Sequence, residues 1–460
     1  MRRQSLIFVL LGLLLTASLT AGQFKLPGYK KVVLKNGMAL YLMEQHEVPL
    51  ISLSAVFPAG AVEEGERYGL ASLTADALFF GTASHSKSEL EETLEALGAR
   101  YNSGAGMESA EISASFLTKD IETVLPILAE VMTAPAFDPV AFDRAKSRRI
   151  QQLAMIKERP QRVVGQYFLS FLAGDHPYGR PVTGVPATVE AIDVAAVKAF
   201  YQAHYGPKGA AIALVGDFKT SEMVKRVEAL LGQWTVKTET PATVPALNLR
   251  FGQSRVLLVD KPDATETQFY IGGAGIARSN PDYTALQVVN TVLGGRFTSW
   301  LNDELRVNRG LTYGARSGFT AHKSGGLFAM VSYTRTEKTE EALDVTLEVL
   351  DRLHSQGIEA ELLKSAQNYL KGQYPPRFET SGSLASLLTD MFVYDFDESF
   401  INGFQKTVDG LTVEKVKRLI REYFPKENLQ FVLVGRAEAI RGIAGKYGAV
   451  TEKSIEAEGY

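Results

Sequence analysis

The pattern of apolar and polar residues repeats between the two halves of the chain. Residues 193–216 read as an amphipathic helix, a proline turn and a continuous apolar strand that ends in glycine. Residues 412–435 follow the same order, with Val416 in the place of Val197. A repeat of this length indicates that one structural unit occurs twice in the chain.

The elements upstream of these two copies also occur in one order. In the first half, an alternating pattern predicts a half-buried strand, and two helical patterns follow it, at residues 110–118, 121–132 and 139–157. The second half has the same three elements at residues 326–334, 339–353 and 359–373. We therefore predict an α+β fold of two similar halves, each a mixed or antiparallel sheet with helices packed on it, arranged as a clamshell.

A segment of low periodicity joins the two halves. Residues 236–254 carry Pro241 and Pro245 and no helical or alternating pattern, which is typical of an extended linker. This places one domain at residues 23–235 and the other at residues 255–460. Ligands commonly bind in the cleft between two domains, so we expect a binding site there.

The N-terminus has the pattern of an export signal. Arg2 and Arg3 are followed by an apolar run at residues 6–15 and by small residues at 16–22. The apolar run is well short of the roughly 20 residues that cross a bilayer. We therefore predict that residues 1–22 are cleaved, and that the mature protein is periplasmic or secreted and has no membrane segment.

Composition excludes several classes of function. Lys and Arg total 49 and Asp and Glu total 52, which gives a formal net charge of −3 and no broad basic surface for nucleic acid. The chain has no cysteine, which excludes disulfides, thiolate zinc sites and a cysteine nucleophile. Its six histidines are scattered, with no pair at the i, i+4 spacing that would grip a metal from one helix.

Two helices are predicted near residue 80. Residues 68–82 carry an apolar stripe at helical spacing, and a second amphipathic helix follows it. In that second helix the spacing of Ser88 and Glu91 fits a capping box, and Gly98 is a stop signal.

The first of these helices carries a family resemblance. Residues 69–82, GLASLTADALFFGT, resemble the pattern G-L-A-H-x-x-E-H-x-L-F-x-G-T of the pitrilysin/insulinase superfamily. The resemblance is specifically to its half-length branch, which includes the mitochondrial processing peptidase subunits and their bacterial relatives. The loop HPYGRPVTG that begins at His176 is similar to a recurring loop of that family, and the likeness extends over nearly the whole mature chain.

The chain departs from the family at the metal site. Catalytic members carry H-x-x-E-H, in which two histidines bind zinc and the glutamate activates a water molecule. The histidine positions here are Ser72 and Asp76, and the position of the base is Ala75. The third ligand position of the family aligns with Gln152. We therefore expect this chain to bind neither zinc nor any other cofactor, and we interpret Ser72 and Asp76 as a hydrogen-bonded pair.

The second half retains a different signature of the family. Residues 292–319 predict a glycine-containing turn, a helix from about Thr298 to Asn308 and a strand from Thr312. The resemblance implies that Arg306 and Tyr313 match an arginine and a tyrosine that face the zinc across the cleft. A phenol can stabilise the oxyanion of an attacked carbonyl, and a guanidinium can hold a carbonyl or carboxylate of the substrate.

The resemblance implies a heterodimer. On this hypothesis the chain is the non-metal subunit of an exported zinc endopeptidase, pairs with a homologous H-x-x-E-H subunit that holds the zinc, and acts on short or unfolded peptides. The alternative is a non-catalytic peptide-binding or scaffold protein of the same fold. A peptidase homodimer that uses Ser72 as a nucleophile is a third reading, but no histidine or lysine base lies near Ser72 in sequence. Asn102 and Glu111, which flank a predicted edge strand, are interpreted as structural.

Overall fold

The structure is a computed structural model that describes residues 24–460, so the predicted export signal at residues 1–22 lies outside the described residues. The first half contains six strands: β1 (Lys30–Val33), β2 (Ala39–Glu44), β3 (Leu50–Phe57), β4 (Arg100–Ala105), β5 (Ala110–Leu117) and β6 (Ala211–Gly216). Its helices are α1 (Leu70–Ala77), α2 (Lys87–Ala96), α3 (Ile121–Thr133), α4 (Pro139–Ile156), α5 (Pro160–Ala173), α6 (Pro186–Glu190), α7 (Val194–His204) and α8 (Thr220–Leu231).

The second half repeats this inventory of strands and adds π-helical turns. Its strands are β7 (Arg255–Asp260), β8 (Glu266–Ala274), β9 (Arg316–His322), β10 (Gly325–Arg335), β11 (Gln430–Gly435) and β12 (Ala449–Ser454). Its helices are α9 (Tyr283–Asn290), α10 (Trp300–Asn302), α11 (Thr339–Gln356), α12 (Ala360–Gln373), α13 (Ser381–Val393), α14 (Glu398–Asn402), α15 (Phe404–Asp409), α16 (Val413–Tyr423) and α17 (Ala437–Ala444). The π-helical turns are Thr291–Gly295 and Asp303–Asn308.

Each half builds one mixed six-stranded sheet, and the two sheets have matching orders. Sheet 1 runs β1-β2-β6-β3-β5-β4, and sheet 2 runs β12-β7-β11-β8-β10-β9. In both sheets the strand after the repeated helix pairs in parallel on one side and antiparallel on the other. The sheets differ at one edge, because β1 pairs antiparallel with β2 whereas β12 pairs in parallel with β7. The predicted fold class is therefore confirmed.

The repeated helix–strand unit has the same local construction in both halves. The Asp193 side chain accepts a hydrogen bond from the Ala196 N–H at the start of α7, and the Thr412 hydroxyl accepts one from the Lys415 N–H at the start of α16. Such N-caps satisfy backbone donors that a helix leaves unpaired. The strands that follow, β6 and β11, are buried along their whole length. The sequence repeat is thus a structural repeat.

One helix of each half packs on the sheet of the other half. The α5 helix of the first half packs its Val163, Val164 and Phe168 against Val259 and other side chains of sheet 2. In return, α13 of the second half packs on β3 and β6 of sheet 1, where hydroxyl pairs join Ser381 to Ser52 and Thr389 to Ser54. Side chains on both sides of the linker therefore share one buried interface.

The junction of the two halves is also fixed at the loop that begins at His176. The Tyr178 hydroxyl donates to the Glu108 carboxylate at 2.6 Å and accepts from the Ser324 N–H at 3.0 Å. Glu108 in turn accepts from the Lys323 N–H, in the turn between β9 and β10. The His176 ring lies 3.0 Å from the carbonyl oxygen of Pro245, in the segment between α8 and β7. The resemblance-bearing loop thus ties the first half to the second.

The capping box of α2 lies two residues earlier than we predicted. The Ser86 hydroxyl accepts from the Glu89 N–H, and the Glu89 carboxylate accepts from the Ser86 N–H. The pair Ser88–Glu91 that we predicted lies inside the helix instead. The two overlapping S-x-x-E spacings are equivalent in sequence, and the extended backbone at Ser86 selects the first.

No helix of residues 24–460 is long and apolar enough to span a bilayer.

Candidate functional site

The degenerate zinc positions lie on α1 and are bridged by an arginine of α4. Ser72 and Asp76 are four residues apart and share one face of α1. Arg149 donates through one guanidinium nitrogen to the Ser72 hydroxyl at 3.0 Å and through the other to the Asp76 carboxylate at 2.8 Å. The interpretation of Ser72 and Asp76 as a hydrogen-bonded pair was therefore wrong, because each of the two side chains is hydrogen-bonded to Arg149 instead.

These residues do not fit a zinc ion. The Arg149 guanidinium is a permanent cation with no lone pair to offer a metal, and it already uses the two side chains at the histidine positions. Ala75, at the position of the base, contributes only a backbone carbonyl, which accepts from the Ser103 hydroxyl at 2.7 Å. Among the described residues, no group of three or more His, Cys, Asp or Glu side chains is arranged to hold a metal.

The electrostatics of this site favour the arginine. Burial raises the pKa of Asp76, and the guanidinium groups of Arg149 and Arg148 offset part of that rise. A partly buried carboxylate needs a neighbouring cation to remain charged, and Arg149, only 14% exposed, provides it. The guanidinium thus supplies the positive charge that a metal would have supplied.

A cavity of about 390 Å³ lies beside this arginine. It is bounded by α1, α2, β4 and α4, and its lining includes Asp76, Asn102, Arg149 and Gln152. The predicted third ligand position, Gln152, therefore lies in the same cavity as Asp76. Sequence reasoning missed Arg149, although Arg149 and Gln152 are three residues apart on α4 and so share a face.

Glu111, on β5, has a structural environment. Its carboxylate accepts a hydrogen bond from the Ser54 hydroxyl at 2.9 Å and lies 3.5 Å from the Ser386 hydroxyl of α13. It therefore contributes to the interface between sheet 1 and α13.

The glycine turn of the second half is a close approach between backbones. A Cβ atom on Gly294 would lie 2.3 Å from the Ser317 backbone nitrogen of β9. Asn290 secures the same contact, because its amide donates to the Ser317 carbonyl and its oxygen accepts from the Ser317 hydroxyl. The π-helical turn Thr291–Gly295 is thus pressed against the start of β9. Single π-helical turns inside α-helices occur often at functional sites.

Tyr313 lies on a loop that is held by hydrogen bonds, and its side chain is exposed to solvent. The loop backbone is held by Asn302, which accepts from the Ala315 N–H at 2.9 Å, and by Thr334, which donates to the Leu311 carbonyl at 2.8 Å. The Tyr313 side chain is 82% exposed, and its hydroxyl has no hydrogen-bond partner among residues 24–460. An exposed aromatic residue on a fixed backbone is available to another molecule.

Arg306 also lacks a charged partner. It lies in the π-helical turn Asp303–Asn308, and its guanidinium carbon is 4.6 Å from the centre of the Phe297 ring. It forms no ion pair with a carboxylate in the described part of the chain. Neither of the two family-matched side chains of the second half therefore has a polar partner among residues 24–460.

Our predicted element bounds need correction here. We predicted one helix from about Thr298 to Asn308, but α10 begins at Trp300 and the helix continues as a π-helical turn. We predicted a strand from Thr312, but β9 begins at Arg316. The Thr312 hydroxyl accepts from the Gly314 N–H at 3.2 Å, which turns the chain before the strand starts.

A larger cavity, of about 590 Å³, adjoins this loop. Phe297 and Gly314, the neighbours of the two family-matched side chains, form part of its wall, and Gln161 and Val164 of α5 also line it. This cavity and the one beside Arg149 share no lining residue. The structure therefore places the degenerate zinc positions in one cavity and the Arg306–Tyr313 segment next to another.

Two family models match successive segments of the chain. Residues 41–185 match the family model described as insulinase (peptidase family M16), and residues 191–370 match the one described as the peptidase M16 inactive domain. The chain belongs to the pitrilysin/insulinase superfamily. Family M16 membership confirms the resemblance, and the chain is of the zinc-free kind because Ser72, Ala75 and Asp76 replace the three residues of the metal motif.

Relatives and solved structures agree over nearly the whole described chain. An uncharacterized zinc protease of Mycobacterium leprae is 26% identical over 405 residues, which cover 87% of this chain and 90% of the relative. The crystal structure of a peptidase M16 inactive domain from Pseudomonas fluorescens has a TM-score of 0.83 and 26% identity, covering 89% of this chain and 98% of that one. A protease from Helicobacter pylori, 19% identical with a TM-score of 0.82, covers 89% of this chain and all of its own; it shows the shared fold.

Proposed function

We propose that this M16 chain is the non-metal subunit of an exported heterodimeric zinc endopeptidase that acts on short or unfolded peptides. Its partner would be a homologous chain with an intact H-x-x-E-H motif, which would hold the zinc. This chain would contribute Tyr313 and Arg306 in trans. Export rests on the signal-like pattern at residues 1–22.

One contrast between the two halves carries this proposal. In the first half, Ser72 and Asp76, which stand at the two histidine positions, both accept hydrogen bonds from Arg149. In the second half, Arg306 and Tyr313 are held on ordered backbone but have no polar partner in the described chain. Because the backbone is already held, a second molecule that binds these side chains has less conformational entropy to remove. Catalytic groups in such an arrangement are expected where another chain completes the site.

The chemistry of the two side chains fits the two parts of a peptide cleavage. The Tyr313 hydroxyl can donate to the carbonyl oxygen of the scissile peptide, and this hydrogen bond strengthens as that oxygen gains negative charge. The Arg306 guanidinium offers a planar set of donors that can hold a neighbouring carbonyl or carboxylate of the substrate. A cation–π contact with the Phe297 ring, at 4.6 Å, supports the guanidinium in this position.

The test is turnover by the assembled complex with Tyr313→Phe. This change removes one hydroxyl and keeps the ring, so assembly should be unchanged. We expect kcat to fall by roughly 10²–10³, as for the loss of one oxyanion donor, with KM little affected. Tyr68→Phe is the control, because the Tyr68 hydroxyl donates to the exposed Glu66 carboxylate at 3.2 Å and has no other hydrogen bond within residues 24–460. Unchanged turnover in Tyr313→Phe would contradict the proposal.

The cavity of the second half favours one other function, a non-catalytic peptide-binding or scaffold protein. At about 590 Å³ it can take peptide side chains, and nothing in its lining requires a metal. On this alternative, Tyr313→Phe would weaken peptide binding or change nothing, and the complex would show no turnover that depends on Tyr313. The homodimeric peptidase with a Ser72 nucleophile has no comparable support, because the Ser72 hydroxyl already accepts from Arg149.

A further inference from the structure

The 590 Å³ cavity in the second half, here called the arginine cavity, is lined by cationic side chains and by no carboxylates. Two arginines, Arg296 and Arg316, contribute to its wall, and no aspartate or glutamate does. A third, Arg306, stacks on the Phe297 ring that forms part of the wall. This pattern contrasts with the overall charge of the chain, which is −3. The wall of this cavity is therefore positively charged, although the chain as a whole carries a small negative charge.

Both wall arginines have unused capacity to bind an anion. Arg316 is the first residue of β9, is exposed, and has no ion pair with any carboxylate of residues 24–460. Arg296 donates through one terminal nitrogen to the Ser365 hydroxyl at 3.0 Å, but its Nε is buried without a partner in the described chain. Arg296 also has no ion pair with a carboxylate of the described residues, so the remaining donors of its guanidinium can serve an anion in the cavity.

The remaining wall is aromatic and amide-bearing. Three tyrosines and one phenylalanine line it, and the phenylalanine, Phe297, is 67% exposed: Tyr270, Tyr333, Tyr369 and Phe297. The lining also includes three residues with amide side chains, Gln161, Gln268 and Asn302. Aromatic rings bind apolar side chains, and amides bind peptide backbone, so this wall suits a peptide more than a free inorganic anion.

We propose that the arginine cavity binds a peptide carboxylate together with an adjacent apolar or aromatic side chain. The carboxylate would lie against Arg316 and Arg296, and the neighbouring side chain against Phe297 and the tyrosines. This inference deepens the proposed function, on which it rests, by naming the peptides that the second half selects. The carboxylate comes either from an internal acidic residue or from the C-terminus of the peptide.

Two pairs of fluorescently labelled peptides test this on the full chain. The first pair is an alanine-rich hexamer with a central Phe-Asp, amidated at its end, and the same peptide with Phe-Asn. The second pair ends in phenylalanine, once as the free acid and once as the amide. Fluorescence anisotropy gives the Kd of each. We expect one acidic peptide to bind at least about tenfold more tightly than its neutral twin, because a carboxylate, unlike a neutral amide, forms an ion pair with charge-assisted hydrogen bonds to a guanidinium. The pair that shows the difference identifies the source of the carboxylate.

Variants link the preference to the cavity. Arg316→Gln is exposed, so it should fold, and we expect it to reduce the preference for the carboxylate to less than about threefold. Arg144→Gln, an exposed arginine of α4 outside the cavity, should keep the full preference. Added salt should weaken binding of the acidic peptide more than that of its neutral twin.

The inference is overturned if both peptides of each pair bind equally, if Arg316→Gln keeps the preference, or if no peptide binds. Each of these results concerns binding alone. The turnover of the Tyr313→Phe complex tests the proposed function separately, so the two failures are distinguishable.

Discussion

Removing Arg149 should destabilise the first half in a way that removing its partner as well does not. In Arg149→Met, the Asp76 carboxylate loses its 2.8 Å ion pair and the Ser72 hydroxyl loses its 3.0 Å donor. The stem of the side chain is retained, so the loss is mainly electrostatic. In Asp76→Leu, the guanidinium is left without its carboxylate. In the double variant, neither charge remains.

The magnitude follows from burial. Breaking a fully buried ion pair costs roughly 3–5 kcal/mol, whereas exposed pairs contribute roughly 0–1 kcal/mol. The Arg149 side chain is 14% exposed, but that of Asp76 is 35% exposed, so water screens part of the interaction. We therefore expect each single variant to lose about 2 kcal/mol of unfolding free energy. The double variant should lose no more than either single one, which is a coupling energy of about 2 kcal/mol.

Urea denaturation of the four proteins measures this coupling, provided that the slope with urea stays constant. Lys219→Met is the matched control, because the Lys219–Glu222 pair is 3.7 Å long and mostly exposed, and its loss should change stability by less than about 0.5 kcal/mol. If the effects of Arg149→Met and Asp76→Leu simply add, Arg149 does not replace the metal charge in the way we argue.

Two further predictions concern Glu64 and Gly294. Burial raises the pKa of Glu64 to about 8, although the Gly69 and Ala71 N–H groups that it accepts from lower it somewhat. The folded protein therefore holds a proton that the unfolded chain releases, and unfolding free energy measured by denaturation should fall between about pH 5 and 8, at up to ~1.4 kcal/mol per pH unit. Glu64→Gln should remove that slope and the exposed Glu47→Gln should not; an unchanged slope in Glu64→Gln refutes the assignment. Gly294→Ala places a methyl group against Ser317 and should lower the unfolding free energy by about 1–3 kcal/mol in the same measurement. Gly318→Ala is the control and should lower it far less, because a Cβ atom at Gly318 meets open space. Equal losses in the two variants would contradict the close approach at Gly294.

Much of the fold follows from local patterns in the sequence. The helix–strand repeat is visible because its caps and its buried strands are encoded by neighbouring residues. The exchange of α5 and α13 between the sheets is not visible in this way, because an amphipathic pattern shows that a helix buries one face but not which sheet it meets.

The candidate site, like the fold, could be predicted from the sequence only in part. The loss of the metal motif at Ser72, Ala75 and Asp76 can be read from sequence, whereas the bridging Arg149 lies on another helix and comes close only in the folded chain. The signal that could have found it is a basic residue three positions before Gln152, on the same face of α4. The openness of Tyr313 likewise depends on the loop hydrogen bonds of Asn302 and Thr334, which are distant in sequence from one another.

The most direct test of the central claim is the native mass and zinc content of this chain isolated from its own source. We predict a complex of two unlike chains of similar size with one zinc, which remains with the partner when the two are separated. A chain that retains stoichiometric zinc on its own would contradict the account, because Arg149 would then not occupy the metal position.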